Sequence, residues 1–333
     1  MTGDGVGDEE WRLSPAPGRE RAQSIDWILL TGNRWLIATI LVVTFFLYFR
    51  GAIALDLLAV QHDASMTRLA GGLVAGTLSL VTIVISINQL ILSYEFTSTG
   101  ETREQLGNIY EFRTEVAVAT DLPVPPPDPA DFLSILAEDV ERRAAGLATA
   151  TDEPAVREFA MYTRDEAGYL RETLADERFG TFSALAPTIP YDDAWQAYAA
   201  RGLREHYDLS GEDRSSLTGI VDALRRFGIA REHLKTTYIQ RELTRFSRLM
   251  VYSGVVAVIA AVSLALLYAG PASPTIPNDQ LPMVSSTLLA VVLLPLAILA
   301  SITLRMATVA RRTAAIGPLV SASRGADEPF NRE

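Results

Sequence analysis

Four apolar stretches stand out along the chain, each long enough to matter to a bilayer. Residues 71–92 run for 22 positions without a charged side chain. At about 1.5 Å per residue that covers a hydrocarbon core of roughly 30 Å, so the pattern predicts a transmembrane helix within residues 69–96. Residues 250–267 and 283–304 predict a third and a fourth span, the last kinked at Pro295, which removes a donor and crowds the carbonyl near Val291. The first span, residues 35–55, is the least regular. Its clean run, 36–49, is only 14 residues long, so Arg50 must snorkel outward or the span must start near Trp27 and accommodate Arg34. A short loop holding Asp56, His62, Asp63 and Arg68 is expected between spans one and two.

The polar positions of the second span are not scattered. Gly72, Gly76, Ser79, Thr82, Ser86, Gln89 and Ser93 follow one another at steps of three or four and share one helix face. Gly72 and Gly76 form a small-xxx-small pair that lets another backbone approach, and a buried Gln89 needs a partner across the interface. Asn88 points to the other side, near Thr77, where it is expected to touch a neighbouring helix. Two readings follow: the stripe glues helices together, or its hydroxyl and amide half, Ser79 to Gln89, lines a water-filled path.

Between spans two and three the pattern is that of amphipathic helices. Ser98 or Thr99 starts one running to about Thr120, and the proline-rich LPVPPPDP segment from Leu122 ends it. Asp128 with Pro129 starts a helix to about Leu147, and Asp152 with Pro154 starts one ending near Arg178, the two forming an antiparallel hairpin. Residues 191–207 predict a further helix whose Trp195 and Tyr198 belong to a core. A long helix from about Leu217 into the third span carries Ile220, Leu224, Phe227, Leu234 and Tyr238 on its apolar face. Arg241, Arg245 and Arg248 stand one turn apart just before the membrane, as candidate contacts for anions or lipid headgroups or as a plain positive-inside flank. Ser253, Ala257, Ala261 and Ala265 form a close-packing face of the third span.

The fold class expected is all-α: a four-transmembrane-helix integral membrane protein with a helical cytoplasmic domain inserted between spans two and three. Residues 1–24 form a tail too rich in glycine, proline and charge to build a core, and they do not read as a signal peptide. Residues 35–96 carry spans one and two, 97–248 the cytoplasmic domain, 249–304 spans three and four, and 305–333 a cytoplasmic tail. Basic residues flank the N-terminal side of span one, both ends of the inserted domain and the C-terminal side of span four, whereas the 270–282 loop has none, which places both termini and the inserted domain inside.

Composition narrows the chemistry. The chain has 333 residues, 49% of them hydrophobic, a formal charge of -11 and no cysteine, which removes disulfides and thiol chemistry. Its acidic balance disfavours nucleic acid as a partner. Of the 29 basic residues only Lys235 is lysine, which points to a high-salt cytoplasm or to a GC-rich genome. There is no phosphate-binding glycine loop and no paired histidines, and His62, His206 and His233 stand alone. The acidic pairs Asp192 with Asp193, and Glu138 with Asp139 and Glu141, read as solvated surface, as do Arg164, Asp165 and Glu166. No enzyme, cofactor or metal is expected, and no ionisable residue sits in the clean cores of the spans to serve a proton relay.

Residues 82–96, TIVISINQLILSYEF, and 231–248, REHLKTTYIQRELTRFSR, resemble a family of uncharacterised four-span membrane proteins from haloarchaea, with Tyr94 standing where a basic residue is expected. That resemblance implies no established activity. In topology alone, two spans, an inserted helical domain and two more spans are similar to bestrophin-type anion channels, without a bestrophin pore motif or calcium-binding cluster. The functional expectation is a homo-oligomer in the lipid bilayer that conducts ions passively. The alternative is a non-conducting scaffold or sensor whose helical domain binds a cytoplasmic protein.

Overall fold

A computed structural model describes residues 12–13, 32–58, 63–95, 99–176, 184–269, 276–312 and 330–331. Apart from a two-residue antiparallel pairing of β1 (Arg12–Leu13) with β2 (Phe330–Asn331), its elements are helical. The chain divides into two units, one built on Thr99–Tyr238 and the other on Ala22–Ser98 with Ile239–Thr308.

The second of these units is apolar on its outside as well as its inside. It contains α1 (Arg34–Ala54), α2 (Asp63–Glu95), the C-terminal part of the 57-residue α7 (Gly211–Leu267), α8 (Leu281–Val292) and most of α9 (Leu294–Arg312). Among the described residues three helices are long and apolar enough to cross a membrane, and α8 with α9 makes a fourth if that pair, bent by 41°, is one span. The bend falls at Leu293, just before Pro295, as expected of a residue with no N–H to give. Leu36, Ile40, Val43 and Leu47 on α1 and Tyr252, Val255 and Ile259 on α7 face outward. Such a surface suits lipid, whereas a water-facing helix would carry polar side chains there. The interior of this unit holds Ala38, Val84, Phe246, Met250, Ile298 and Ile302 in one cluster and Met66, Ala70, Leu264 and Leu281 in another.

The first unit is a conventional helical core. α4 (Pro129–Ala150) and α5 (Pro154–Asp176) form its most extensive pairing, joined by α3 (Thr99–Thr120), α6 (Asp193–His206) and the N-terminal part of α7. Leu133, Leu136, Phe159, Leu203, Leu224 and Phe227 are fully buried there. Local signals set the element ends. The Asp128 carboxylate accepts the Ala130 N–H at 2.8 Å, with Pro129 in the first turn, and the Asp192 carboxylate accepts that of Trp195 at 2.9 Å. Asp56 and Asp121 adopt left-handed backbone, φ 55° and 57°, two residues past the end of α1 and one past the end of α3. In both places the next N–H reaches back to close the turn, Leu57 to Ala52 O at 2.9 Å and Leu122 to Ala117 O at 3.0 Å. Aspartate thus does what glycine usually does, since its short polar side chain tolerates that conformation.

Several expectations need correction. α2 begins at Asp63, so Asp63 and Arg68 belong to the helix and not to the loop before it. α7 starts at Gly211, six residues before the position expected, because the Ser210 hydroxyl accepts the Asp213 N–H at 3.0 Å and opens the helix there. α9 continues through Arg305 to Arg312, past the end expected of the fourth span at Leu304. Tyr198 is 42% exposed and Trp195 alone enters the core.

The acidic pairs are not all solvated surface either. Asp139 is 1% exposed and bound by Arg142, by Arg143 Nε at 2.9 Å and by Arg226 Nη2 at 3.2 Å, tying α4 to α7. Glu141 pairs with Arg171 at 2.7 Å. Asp193 is buried against Arg231 at 2.7 Å, and that arginine also donates to the Tyr191 carbonyl at 3.1 Å. Burial pushes the Asp193 carboxyl up from its ordinary value, against the pull of the Arg231 guanidinium. Gly228 makes this pair possible, because a Cβ there would lie 2.8 Å from Asp193 Oδ2. The exposed Arg164–Asp165 pair, by contrast, is surface, as the sequence suggests.

Candidate functional site

The two sides of α2 have different fates within its unit. Ala70, Thr77 and Val84, spaced by seven, are buried, flanked by the half-buried Leu73, Val74, Leu80 and Val81. This is the seam α2 presents to the rest of the unit, and its tightest point is Val81 against Gly254 of α7, where a Cβ on the glycine would stand 2.4 Å from Val81 Cγ2. The Thr77 hydroxyl is satisfied locally, donating to the Leu73 carbonyl at 2.8 Å.

Gly72, Gly76, Ser79, Thr82, Ser86 and Gln89 are all exposed, away from that seam. Among the described residues, nothing beyond the backbone of α2 itself comes within 4 Å of a Cβ placed on Gly72 or Gly76, so the small-residue pair meets none of the described helices. Ser86 donates to the Thr82 carbonyl at 2.9 Å and so hides its proton, while the Gln89 amide makes no hydrogen bond to another described residue. The side chains of Asn88 and Ser93 lie outside the described residues. The structure therefore gathers the predicted glycine, hydroxyl and amide positions on one outward face. It also buries Ser253, Ala257 and Ala261 of the close-packing face expected on the third span, and adds to them Gly254, which the sequence reading did not single out.

Arg241, Arg245 and Arg248 are exposed along α7. Arg245 also lines a cavity of about 10 Å³ with Arg34, Glu242 and Ser301, the space of a single water. Around it is a polar cluster that the sequence reading missed. Arg34 donates to Ser301 O at 3.1 Å, Ser301 Oγ donates back to Arg34 O at 3.0 Å, and Arg305 Nη2 donates to Gly32 O at 2.7 Å. Arg34, Glu242 and Arg305 are 7–8% exposed. Arg34 is thus drawn into the start of α1 and clamped to α9, while Arg50, at the far end of the same helix, stays exposed. The available signal was the i, i+4 spacing of Ser301 and Arg305 in a largely apolar stretch of helix, which puts both on one face.

Among the described residues no three His, Asp or Glu side chains gather as metal ligands. The arrangement offers a polar stripe on the outside of an apolar helix unit. No curated protein and no solved structure matches the chain. A model of a family of unknown function, DUF7972, matches residues 15–332, and the chain belongs to that family.

Proposed function

We propose that this is a multi-pass membrane protein that works as a homo-oligomer, its copies arranged about the outward face of α2, with Ser79, Thr82, Ser86 and Gln89 lining a passive ion path. The observation that carries the reading is the exposure of that face in a single chain. Outward serine, threonine and glutamine side chains at bilayer depth are poorly placed against lipid, where an amide without a partner costs more than in water. A second copy or an enclosed column of water removes that cost. Four helices of one chain have little room for a pore, whereas a ring of copies encloses one between them.

In this reading both termini and residues 97–248 face the cytoplasm, and Arg241, Arg245 and Arg248 attract anions or headgroups on that side. The order of two spans, a helical insertion and two spans, similar to that of bestrophin-type channels, agrees with a passive path but does not select the ion.

The test is flux from liposomes holding the purified, oriented protein at high salt, wild type beside Gln89→Leu. A path lined by Gln89 predicts flux that changes in the variant while assembly is kept. If Gln89 only joins helices, the variant loses assembly. No anion or cation flux from folded wild-type protein would sink the channel reading.

A further inference from the structure

The helical unit contains a groove of about 360 Å³ between α3, the proline-rich segment and α7, and its chemistry is unlike that of the rest of the acidic surface. Its walls are Ile109, Phe112, Phe132, Ile229 and Leu234, with Arg113 set among them and His233 at the rim. The walls are preformed. Pro127 and Pro129 fix the backbone on one side, and Arg113 pins the segment before them by donating from Nη2 to the Pro125 and Pro126 carbonyls, the latter at 3.2 Å.

Arg113 is half-buried, and its guanidinium carbon lies 5.2 Å from the centre of the Phe132 ring. Carbonyls and a ring face orient a guanidinium but carry no charge to cancel it. Among the described residues no carboxylate comes within ion-pair distance, in contrast to Asp139 and Asp193, whose arginines are neutralised. A fixed positive charge at the wall of a preformed apolar groove is complementary to an anion with an apolar body.

We propose that this groove binds a small carboxylic acid anion whose apolar part fills the space between Phe112, Phe132, Ile229 and Leu234, and whose carboxylate meets Arg113. At roughly 30 Å³ for each non-hydrogen atom, the volume holds a ligand of about a dozen such atoms. The site does not depend on whether the membrane unit conducts.

The probe is 2-naphthoate, with neutral 2-naphthamide as its uncharged counterpart, titrated by calorimetry into the full chain in lipid nanodiscs and into empty nanodiscs. The expected result is saturable binding of one naphthoate per chain, at least tenfold tighter than the amide. Ile229→Trp, at a position 42% exposed and so tolerant of size, fills the groove and abolishes binding of both. Arg113→Gln weakens naphthoate at least tenfold and leaves the amide unchanged, and Arg113→Lys restores most of the naphthoate affinity. Absence of saturable binding to the wild type, equal affinity for acid and amide, or undiminished binding by a folded Ile229→Trp variant would each overturn the assignment.

Discussion

Val81 of α2 and Gly254 of α7 meet so closely that any side chain at 254 would have its Cβ 2.4 Å from Val81 Cγ2. This contact fixes which side of α2 faces its own chain, and so which side is left for something else. Gly254→Ala should destabilise the membrane unit by about 1–3 kcal/mol through overpacking. Because the clash is with one methyl, Val81→Ala in the same chain should recover most of the loss. Thermal unfolding of the detergent-solubilised single and double variants reads this directly, and additive losses in the double variant would show that the two helices do not touch there.

Asp139 is the centre of the polar architecture of the helical unit. Three arginines converge on a carboxylate that is 1% exposed, so Asp139→Ala strands buried positive charge and should cost about 3–5 kcal/mol. Arg142, whose side chain is 56% exposed, should cost under about 1 kcal/mol when changed to alanine. Denaturant unfolding followed by circular dichroism separates the two. Equal effects would mean that the network is only a surface decoration.

Tyr191 makes the helical unit sensitive to alkali. Its hydroxyl is buried and donates to Gln196 Oε1 at 2.8 Å, and burial, reinforced by the nearby Asp193, raises its pKa well above 10.0. A raised value in the folded state means that the neutral form is favoured by folding. The stability it lends is complete below about pH 10 and is lost as pH rises through and beyond that value. Tyr191→Phe should lower stability at neutral pH by about 1 kcal/mol, the worth of one buried hydrogen bond. Above pH 10 its stability should fall less steeply than that of the wild type. Parallel stability curves for the two proteins from pH 8 to 11 would contradict this.

The helices and their caps were legible because they are written locally. Asp128 with Pro129 and Pro295 each act within a turn of their own position, and the structure uses them as the sequence implies. The polar face of α2 could be read for the same reason, since period 3.6 alone puts Gly72, Gly76, Ser79, Thr82, Ser86 and Gln89 together. What lies opposite a face could not be read. Gly254 and Val81 are 173 positions apart, and Arg34 and Ser301 meet across |i−j| = 267. Asp139 looked like surface because one sequence shows a carboxylate among charges, not the arginine of α7 that arrives from 87 positions away. Long-range pairing decides whether a charge is solvated or buried, and a local pattern carries no record of it.

The outward face of α2 also offers a prediction about assembly that is independent of flux. If copies meet about the outward face of α2, Gly76→Leu places a large side chain where, among the described residues, nothing beyond the backbone of α2 itself lies within 4 Å of the Cβ position. Monomer folding should then be unchanged while assembly weakens. Size-exclusion chromatography beside circular dichroism checks both, and an unchanged elution volume would remove this face from the interface.

The central claim is that the exposed polar face of α2 is covered by further copies of the chain. The mass of the protein, extracted in mild detergent and measured with its bound detergent accounted for, tests it most directly. The account predicts a whole-number multiple, greater than one, of the 36.3 kDa chain. A folded protein with the mass of one chain would contradict it.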